Sequence, residues 1–304
     1  MNSRILIISG LLLLPLGANA EKLFLSDVEL SSSYNDNVFL SGDKEDILNT
    51  SDTSIDEDIQ TQFTLGTSYK FYDGANSDSK VIIDFFYENL QKNAINTTIA
   101  SIDLPWSYYT ESFRFRVTPK ISQYGVDGES ALTYFGSKVD VTKKYGHHQL
   151  GLYYQYTESR ANDDSYSSYS GDHQQYYIQY TKRQLLGKFN LRMGRHVQRY
   201  QQDIDDESYS GYVVSSRYML MKKKFKLSLY AKVKTKNYEN SFVLGESRFD
   251  VNTTVSISPS YRLTKSLAIY SKLSYTKNIS NISDDFEDKN YSQTLTTLGL
   301  NYRF

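Results

Sequence analysis

The sequence predicts an all-β fold: a transmembrane, antiparallel, up-and-down β-barrel of about 14 strands behind a cleaved leader. Three observations carry that prediction. From Val28 to Phe304 the apolar residues recur with period two rather than 3.6. The alternating runs are about nine to fifteen residues long, the length a tilted strand needs to cross a bilayer. Finally, the connections between runs alternate between short and long, as they do in a barrel with turns at one rim and loops at the other.

The leader comes first. Arg4 precedes the apolar run from Ile5 to Leu16, and Ala18-Asn19-Ala20 supplies a small-x-small cleavage site. Residues 1–20 therefore read as a secretory signal peptide and 21–304 as the barrel domain. No later stretch reaches the roughly 18 consecutive apolar residues of a membrane helix.

The strands follow in order: 27–36, 59–72, 80–90, 98–109, 113–124, 130–143, 147–158, 172–184, 187–200, 208–222, 225–238, 247–263, 265–279 and 289–304. The cleanest is Phe225-Lys226-Leu227-Ser228-Leu229-Tyr230-Ala231-Lys232-Val233-Lys234, with every odd position apolar and nearly every even one polar or charged. The same grammar runs through Phe63/Leu65/Thr67/Tyr69/Phe71, Phe113/Phe115/Val117/Pro119/Ile121, Leu150/Leu152/Tyr154/Tyr156, Phe249/Val251/Thr253/Val255/Ile257, Leu267/Ile269/Ser271/Leu273/Tyr275 and Leu298/Leu300/Tyr302/Phe304. Short connections are expected at 73–79, 110–112, 144–146, 185–187, 223–224 and 264. Long ones are expected at 37–58, 91–97, 125–129, 159–171, 201–207, 239–246 and 280–288. A secreted β-sandwich would also alternate. It would not carry such long, even strands, Tyr-rich strand ends and a polar face on nearly every strand.

Composition removes other classes. Of 304 residues 39% are hydrophobic and 14% aromatic, with 28 Tyr and a single Trp, a poor recipe for an enzyme core. Lys+Arg number 34 against 35 Asp+Glu, a net charge of −1, so no whole-protein field recruits nucleic acid. The absence of Cys excludes disulfides, iron–sulfur clusters, thiolate zinc sites, thiol catalysis and a lipidated N-terminal Cys.

The ending Thr297-Leu298-Gly299-Leu300-Asn301-Tyr302-Arg303-Phe304 resembles the last strand of bacterial outer-membrane proteins. The resemblance implies that Phe304 is the signal read by the barrel assembly machinery, and that the protein sits in a Gram-negative outer membrane among lipid and lipopolysaccharide. The opening Ser33-Tyr34-Asn35-Asp36-Asn37-Val38-Phe39 resembles the first-strand motif of exopolysaccharide-associated β-barrel porins and of the barrel domain of the surface lipoprotein assembly modifier family. The sequence predicts no helical repeat segment ahead of the barrel, such as the assembly modifiers carry. What the resemblance implies is a barrel tied to envelope polysaccharide.

If the apolar positions face lipid, their neighbours face inward. Strands one, three and four then point Asp27, Glu29, Asp84, Glu88 and Asp103 into the lumen. Strands five and nine to twelve contribute Arg114, Arg116, Lys120, Arg192, His196, Arg217, Lys226, Lys232, Lys234, Lys236, Arg248 and Arg262. An acidic sector beside a broader basic one sets a field across a narrow water channel, and basic walls favour anions. The expected function is a porin-like channel for acidic oligo- or polysaccharide. The bland alternative is that the same charges pair across strands and plug the barrel. Function would then reside in the acidic outer loops of a non-conducting assembly or surface-interaction barrel. Tyr72, Tyr153, Tyr177 and Tyr230 are candidates for a lumenal stacking track, although Tyr is also the residue of membrane interfaces.

The first long loop, with carboxylates from Asp43 to Asp58, reads as a constriction loop folded inward or as a solvated loop, and the clusters Asp203-Ile204-Asp205-Asp206-Glu207 and Ser283 to Asp288 lack the spacing of a calcium loop, so no metal and no cofactor are expected. Nor is an enzyme: neither G-x-S-x-G nor H-E-x-x-H occurs, and only His173 near Asp172 or Asp164 could seed a hydrolytic site at the rim.

Overall fold

A computed structural model describes residues 24–37, 57–201, 208–243, 246–281 and 290–304. The leader 1–20, most of the first long loop and the acidic segments around 203–207 and 283–288 lie outside the described residues. The strands are β1 (Phe24–Asn35), β2 (Asp58–Asp73), β3 (Ser77–Leu90), β4 (Ile95–Asp103), β5 (Trp106–Tyr109), β6 (Phe113–Val126), β7 (Glu129–Tyr145), β8 (His148–Ala161), β9 (Gly171–Gln184), β10 (Gly187–Tyr200), β11 (Tyr209–Lys222), β12 (Phe225–Val243), β13 (Glu246–Arg262), β14 (Leu267–Ser280) and β15 (Tyr291–Arg303). Each pairs antiparallel with its neighbours. β4 and β5 are one barrel strand interrupted at Leu104-Pro105, because proline has no amide hydrogen to give the ladder. The gap is bridged on both sides, by Leu104 N–H to the Pro119 carbonyl (3.0 Å) and Lys80 N–H to the Pro105 carbonyl (3.2 Å). The wall therefore has fourteen strands.

Closure is made by β1, which pairs with β2 on one side and with β15 on the other, from Asp27↔Arg303 to Asn35↔Leu295. A side-chain bond across this seam, Ser33 Oγ to Thr297 Oγ1 at 2.8 Å, joins residues 264 apart in sequence.

The period-two pattern resolves into two faces. Outside stand Leu30, Leu152, Ile178, Met193, Val214, Val255, Leu273 and Leu298, each at least 45% exposed, with few polar neighbours among them. Inside stand Ser31, Ser33, Gln60, Ser101, Asp140, Thr142, Thr181, His196, Asp250 and Thr297, all buried. Such an arrangement is inverted relative to a water-soluble sandwich, and only a hydrocarbon surround makes it favourable. Aromatics crowd the strand ends at the turn rim, where Trp106 meets Phe115 edge-on at 6.2 Å, Tyr302 meets Phe304 at 4.7 Å, and Lys143 Nζ sits 4.8 Å over both Phe113 and Tyr145.

The other rim departs from expectation in three places. The connections expected at 91–97 and 125–129 are tight turns. Asp127 and Gly128 both have positive φ (49° and 83°), the conformation a two-residue hairpin of D-G type adopts. The 91–94 turn is clamped by the buried Asp58 carboxylate, which accepts from the amides of Lys92 (2.8 Å) and Asn93 (2.9 Å). β12 also continues to Val243, five residues past its expected end, with a register break between Asn237 and Phe242 that no local pattern announces. A long connection does appear at 162–170. It forms a short 3-10 turn, Asp164–Tyr169, capped by Asp163, whose Oδ1 accepts from the Ser165 amide at 2.9 Å. Tyr166 and Tyr169 pack on an apolar cluster of Leu90, Ile95, Val126, Ala131 and Leu132, so this loop folds onto the mouth of the barrel instead of standing away from it.

Close approach explains Gly194. A Cβ there would lie 2.0 Å from the Tyr176 carbonyl oxygen and 2.5 Å from Tyr177 Cβ, both fixed by the β9–β10 ladder. Gly194→Ala is expected to destabilise the barrel by about 2 kcal/mol, read as a lower urea midpoint of Trp106 fluorescence; an unchanged midpoint would show that the β9–β10 ladder yields easily there.

The Asp163 carboxyl is held below its ordinary value by hydrogen bonds from the Ser165 hydroxyl and amide. A depressed carboxylate contributes order above its unfolded pKa and loses it as pH falls through the folded value. Asp163→Ala is therefore expected to loosen the 162–170 loop at neutral pH, whereas wild type loosens only when acid protonates the carboxyl. Amide exchange of residues 163–170 measures this, and identical exchange in variant and wild type at pH 7 would contradict it.

Candidate functional site

The charged residues named above as inward fall on the register rows opposite the apolar face, and strand order sorts them by sign. Asp27 and Glu29 on β1, Asp84 and Glu88 on β3 and Asp103 on β4 form an acidic sector. Asp27, Gly66 and Asp84 share one register row, and each carboxylate comes within 3.1 Å of where a Gly66 side chain would begin, so the missing side chain lets both lean over β2. The basic sector starts at β6 and runs to β15.

Within the basic sector most cations already have partners. Arg114 Nη2 lies 2.8 Å from Asp140 Oδ1, with Asp140 buried. Arg116 Nε donates to Ser107 Oγ at 3.0 Å. Lys120 Nζ is 3.5 Å from Asp103 Oδ1, at the border of the two sectors. Arg248 grips Asp250 with two nitrogens (3.2 and 2.8 Å) while its guanidinium lies 4.0 Å over Tyr238, whose hydroxyl also donates to Asp250. Removing one member of such a buried pair would cost about 3–5 kcal/mol, because the other charge would be stranded. Lys234 Nζ donates to the Tyr209 hydroxyl (2.9 Å) and Lys236 Nζ to that of Tyr238 (3.1 Å). Arg217 lies 5.1 Å over Tyr230.

The tyrosines are part of the same construction. Tyr153 and Tyr177 stack at 4.7 Å with planes 12° apart, and Lys138 (5.2 Å) and Arg192 (4.2 Å) cover their outer faces, a cation–ring–ring–cation sandwich spanning β7 to β10. Arg192 also donates to Gln179 Oε1 at 3.0 Å. Tyr72 does not belong to this group. A bulge between Lys70 and Tyr72 puts it opposite Ser79, in register with the outward Trp106 at the turn rim. His196 is buried and reaches past Gly211, with Nε2 2.9 Å from the Thr235 carbonyl.

Sequence reasoning missed Lys138, Asp140 and Lys272, which share the inward face. The alternation Phe135-x-Ser137-x-Val139-x-Val141 would have located the first two. At the rim, Asp172 accepts from Gln174 (3.0 Å) and His173 contacts Gln175 (3.3 Å); as neighbours in one strand they point to opposite faces, so the Asp172 carboxylate does not orient the His173 imidazole. Among the described residues no group of three or more His, Asp or Glu side chains is placed to hold a metal ion.

No protein-family model matches the chain, and no curated protein matches it by sequence. Solved structures do match. An anion-selective porin from Comamonas acidovorans superposes with a TM-score of 0.53 at 9% identity, covering 93% of this chain and 99% of the porin. OmpT, an outer-membrane protein of Vibrio cholerae, gives 0.53 at 8% over 95% and 99%, and a bacterial polysaccharide outer-membrane secretin gives 0.50 at 8% over 94% and 100%. At these identities the likeness concerns architecture: the chain has the closed antiparallel barrel fold of outer-membrane porins.

Proposed function

We propose that the protein is an outer-membrane channel that passes acidic saccharides or other anionic cargo, exported by its leader and inserted by the barrel assembly machinery through Phe304. The observation that supports this most is the division of the inward wall into an acidic sector on β1–β4 and a basic one on β6–β15, inside an apolar exterior. Opposed sectors produce a transverse field, which low-dielectric walls focus. Orientation follows from the rims: turns at 74–76, 110–112, 146–147, 185–186, 223–224 and 263–266 face the periplasm, and the loops, acidic in sequence, face outward. The resemblance of the first-strand motif to exopolysaccharide-associated porins supports a place in an envelope polysaccharide system, with lipid and lipopolysaccharide as the surround.

One observation favours a second reading. The Tyr166/Tyr169 loop and the apolar cluster beneath it fold onto the mouth, as expected of a barrel that conducts nothing and acts through its outer surface.

Planar-bilayer conductance of the refolded chain in a salt gradient decides between them. The channel reading expects anion-selective steps, with selectivity reduced when Lys232, Lys234 and Lys236 are changed together to Gln. Silence from a heat-modifiable, folded barrel favours the second reading. Steps with cation selectivity would sink the anionic-cargo reading.

A further inference from the structure

The lumenal cations fall into two groups that differ in whether anything holds them. Most of those elsewhere along the wall, from Arg114 near the turn rim to Arg248 near the loop rim, are engaged by Asp140, Asp250, Asp103, Gln179 or tyrosine hydroxyls. At the turn rim of β11–β15 the situation is different. A concavity of about 460 Å³ opens there, lined by Lys223, Lys224, Lys226, Arg262, Lys265 and Arg303, with Glu29 the one carboxylate among the described residues of its wall. That volume is within the roughly 300–1,000 Å³ of small-ligand sites.

The space exists because the intervening inward positions are small. Lys226 is in register with Ser260, and Arg262 with Ala268, while Ser228 and Ser258 complete the floor. Long cations thus surround a hollow of Ser and Ala. The Glu29 carboxylate is occupied by the Tyr270 hydroxyl at 2.5 Å. Asp27, the register partner of Arg303, turns toward Gly66 instead. Lys224 Nζ has only a long contact, 3.4 Å, to the Leu263 carbonyl. The charged ends of Lys226, Arg262, Lys265 and Arg303 have no hydrogen bond or ion pair among the described residues.

We infer that this concavity is an anion-capture vestibule for carboxylated saccharide chains arriving from the periplasmic side, and that the channel therefore recognises its cargo at the inner mouth. The inference rests on the channel reading above and adds an axial polarity to it: unengaged cations at the turn rim, carboxylate-rich loops at the other. Fixed charge of this kind raises the encounter rate of an anion at one mouth and lowers it at the other, without driving net flux. A multidentate cationic hollow prefers a carboxylate-bearing oligomer to a neutral one by charge, and to a small monovalent anion by the number of simultaneous contacts.

The experiment is blockade of single channels by a galacturonate tetramer added to either chamber. Orientation is fixed by streptavidin capture of biotin on Leu185→Cys, a fully exposed turn residue in a chain without other cysteines. In low salt the blocking rate is expected to be about tenfold higher from the turn side, the difference shrinking as salt screens the field. The variant Lys226→Gln/Arg262→Gln/Lys265→Gln should equalise the two sides. Lys182→Gln/Arg183→Gln/Lys188→Gln, an equal change at another turn, should leave the asymmetry in place. Equal blocking rates in wild type, or asymmetry that survives the first variant and not the second, would overturn the vestibule while leaving the channel intact. If the folded barrel does not conduct, the channel reading fails separately. Binding of a fluorescent galacturonate tetramer to the detergent-folded protein then tests the vestibule, which stands if the first variant abolishes binding and falls if wild type does not bind. Should the first variant not fold, the pair Arg262→Gln/Lys265→Gln gives the same comparison with a smaller loss.

Discussion

Everything in this molecule follows from one requirement: each backbone amide and carbonyl that crosses a hydrocarbon layer must be paired inside the wall, because lipid offers no hydrogen bonds. Strands meet that requirement only if the sheet has no free edge, so β1 must find β15. Once closed, every strand has one face toward lipid and one toward a shared interior, and alternation is forced on the sequence. The buried layer of a soluble protein is here on the outside, and the polar surface is folded inward as a lining.

A polar interior of fourteen strands contains many ionisable groups in a narrow space, and their arrangement is set by neutralisation before it is available for recognition. Arg248 with Asp250, and Arg114 with Asp140, show the price of interior charge being met locally, with ring faces of Tyr238 and Tyr177 lying against Arg248 and Arg192. Residues that look alike in sequence therefore differ in function. Lys234 and Lys236 are part of the wall's hydrogen bonding, whereas Lys226, four periods of the alternation before Lys234, has no charged-group partner among the described residues.

The fold was legible because barrel strands encode their orientation locally: two residues of spacing suffice to say which side a residue faces, as Phe225 to Lys234 did without ambiguity. Register was not. Nothing near Tyr72 announces that a bulge reverses its face, and nothing near Asn237 announces that β12 continues, since both depend on the partner strand. The tight turn at Asp127-Gly128 was readable from its D-G dipeptide and was obscured by the expectation that every connection at that rim is long. For the lumen, alternation identified which charges point inward. It could not say that Asp140 neutralises Arg114 from the next strand, or that a hollow opens where Ser228, Ser258, Ser260 and Ala268 cluster, because both are facts of neighbouring strands.

The seam bond between Ser33 and Thr297 has a consequence for biogenesis. The first strand synthesised cannot complete its ladder until the last one has been made, so every shorter intermediate exposes two sticky edges along its whole length. The entropic cost of joining such distant segments grows only as the logarithm of the loop. The hazard is kinetic: until closure, each open edge is a template for another chain. A nascent chain of this kind needs its edges chaperoned from the moment of export, whereas the closed barrel presents no free edge for another chain to pair with.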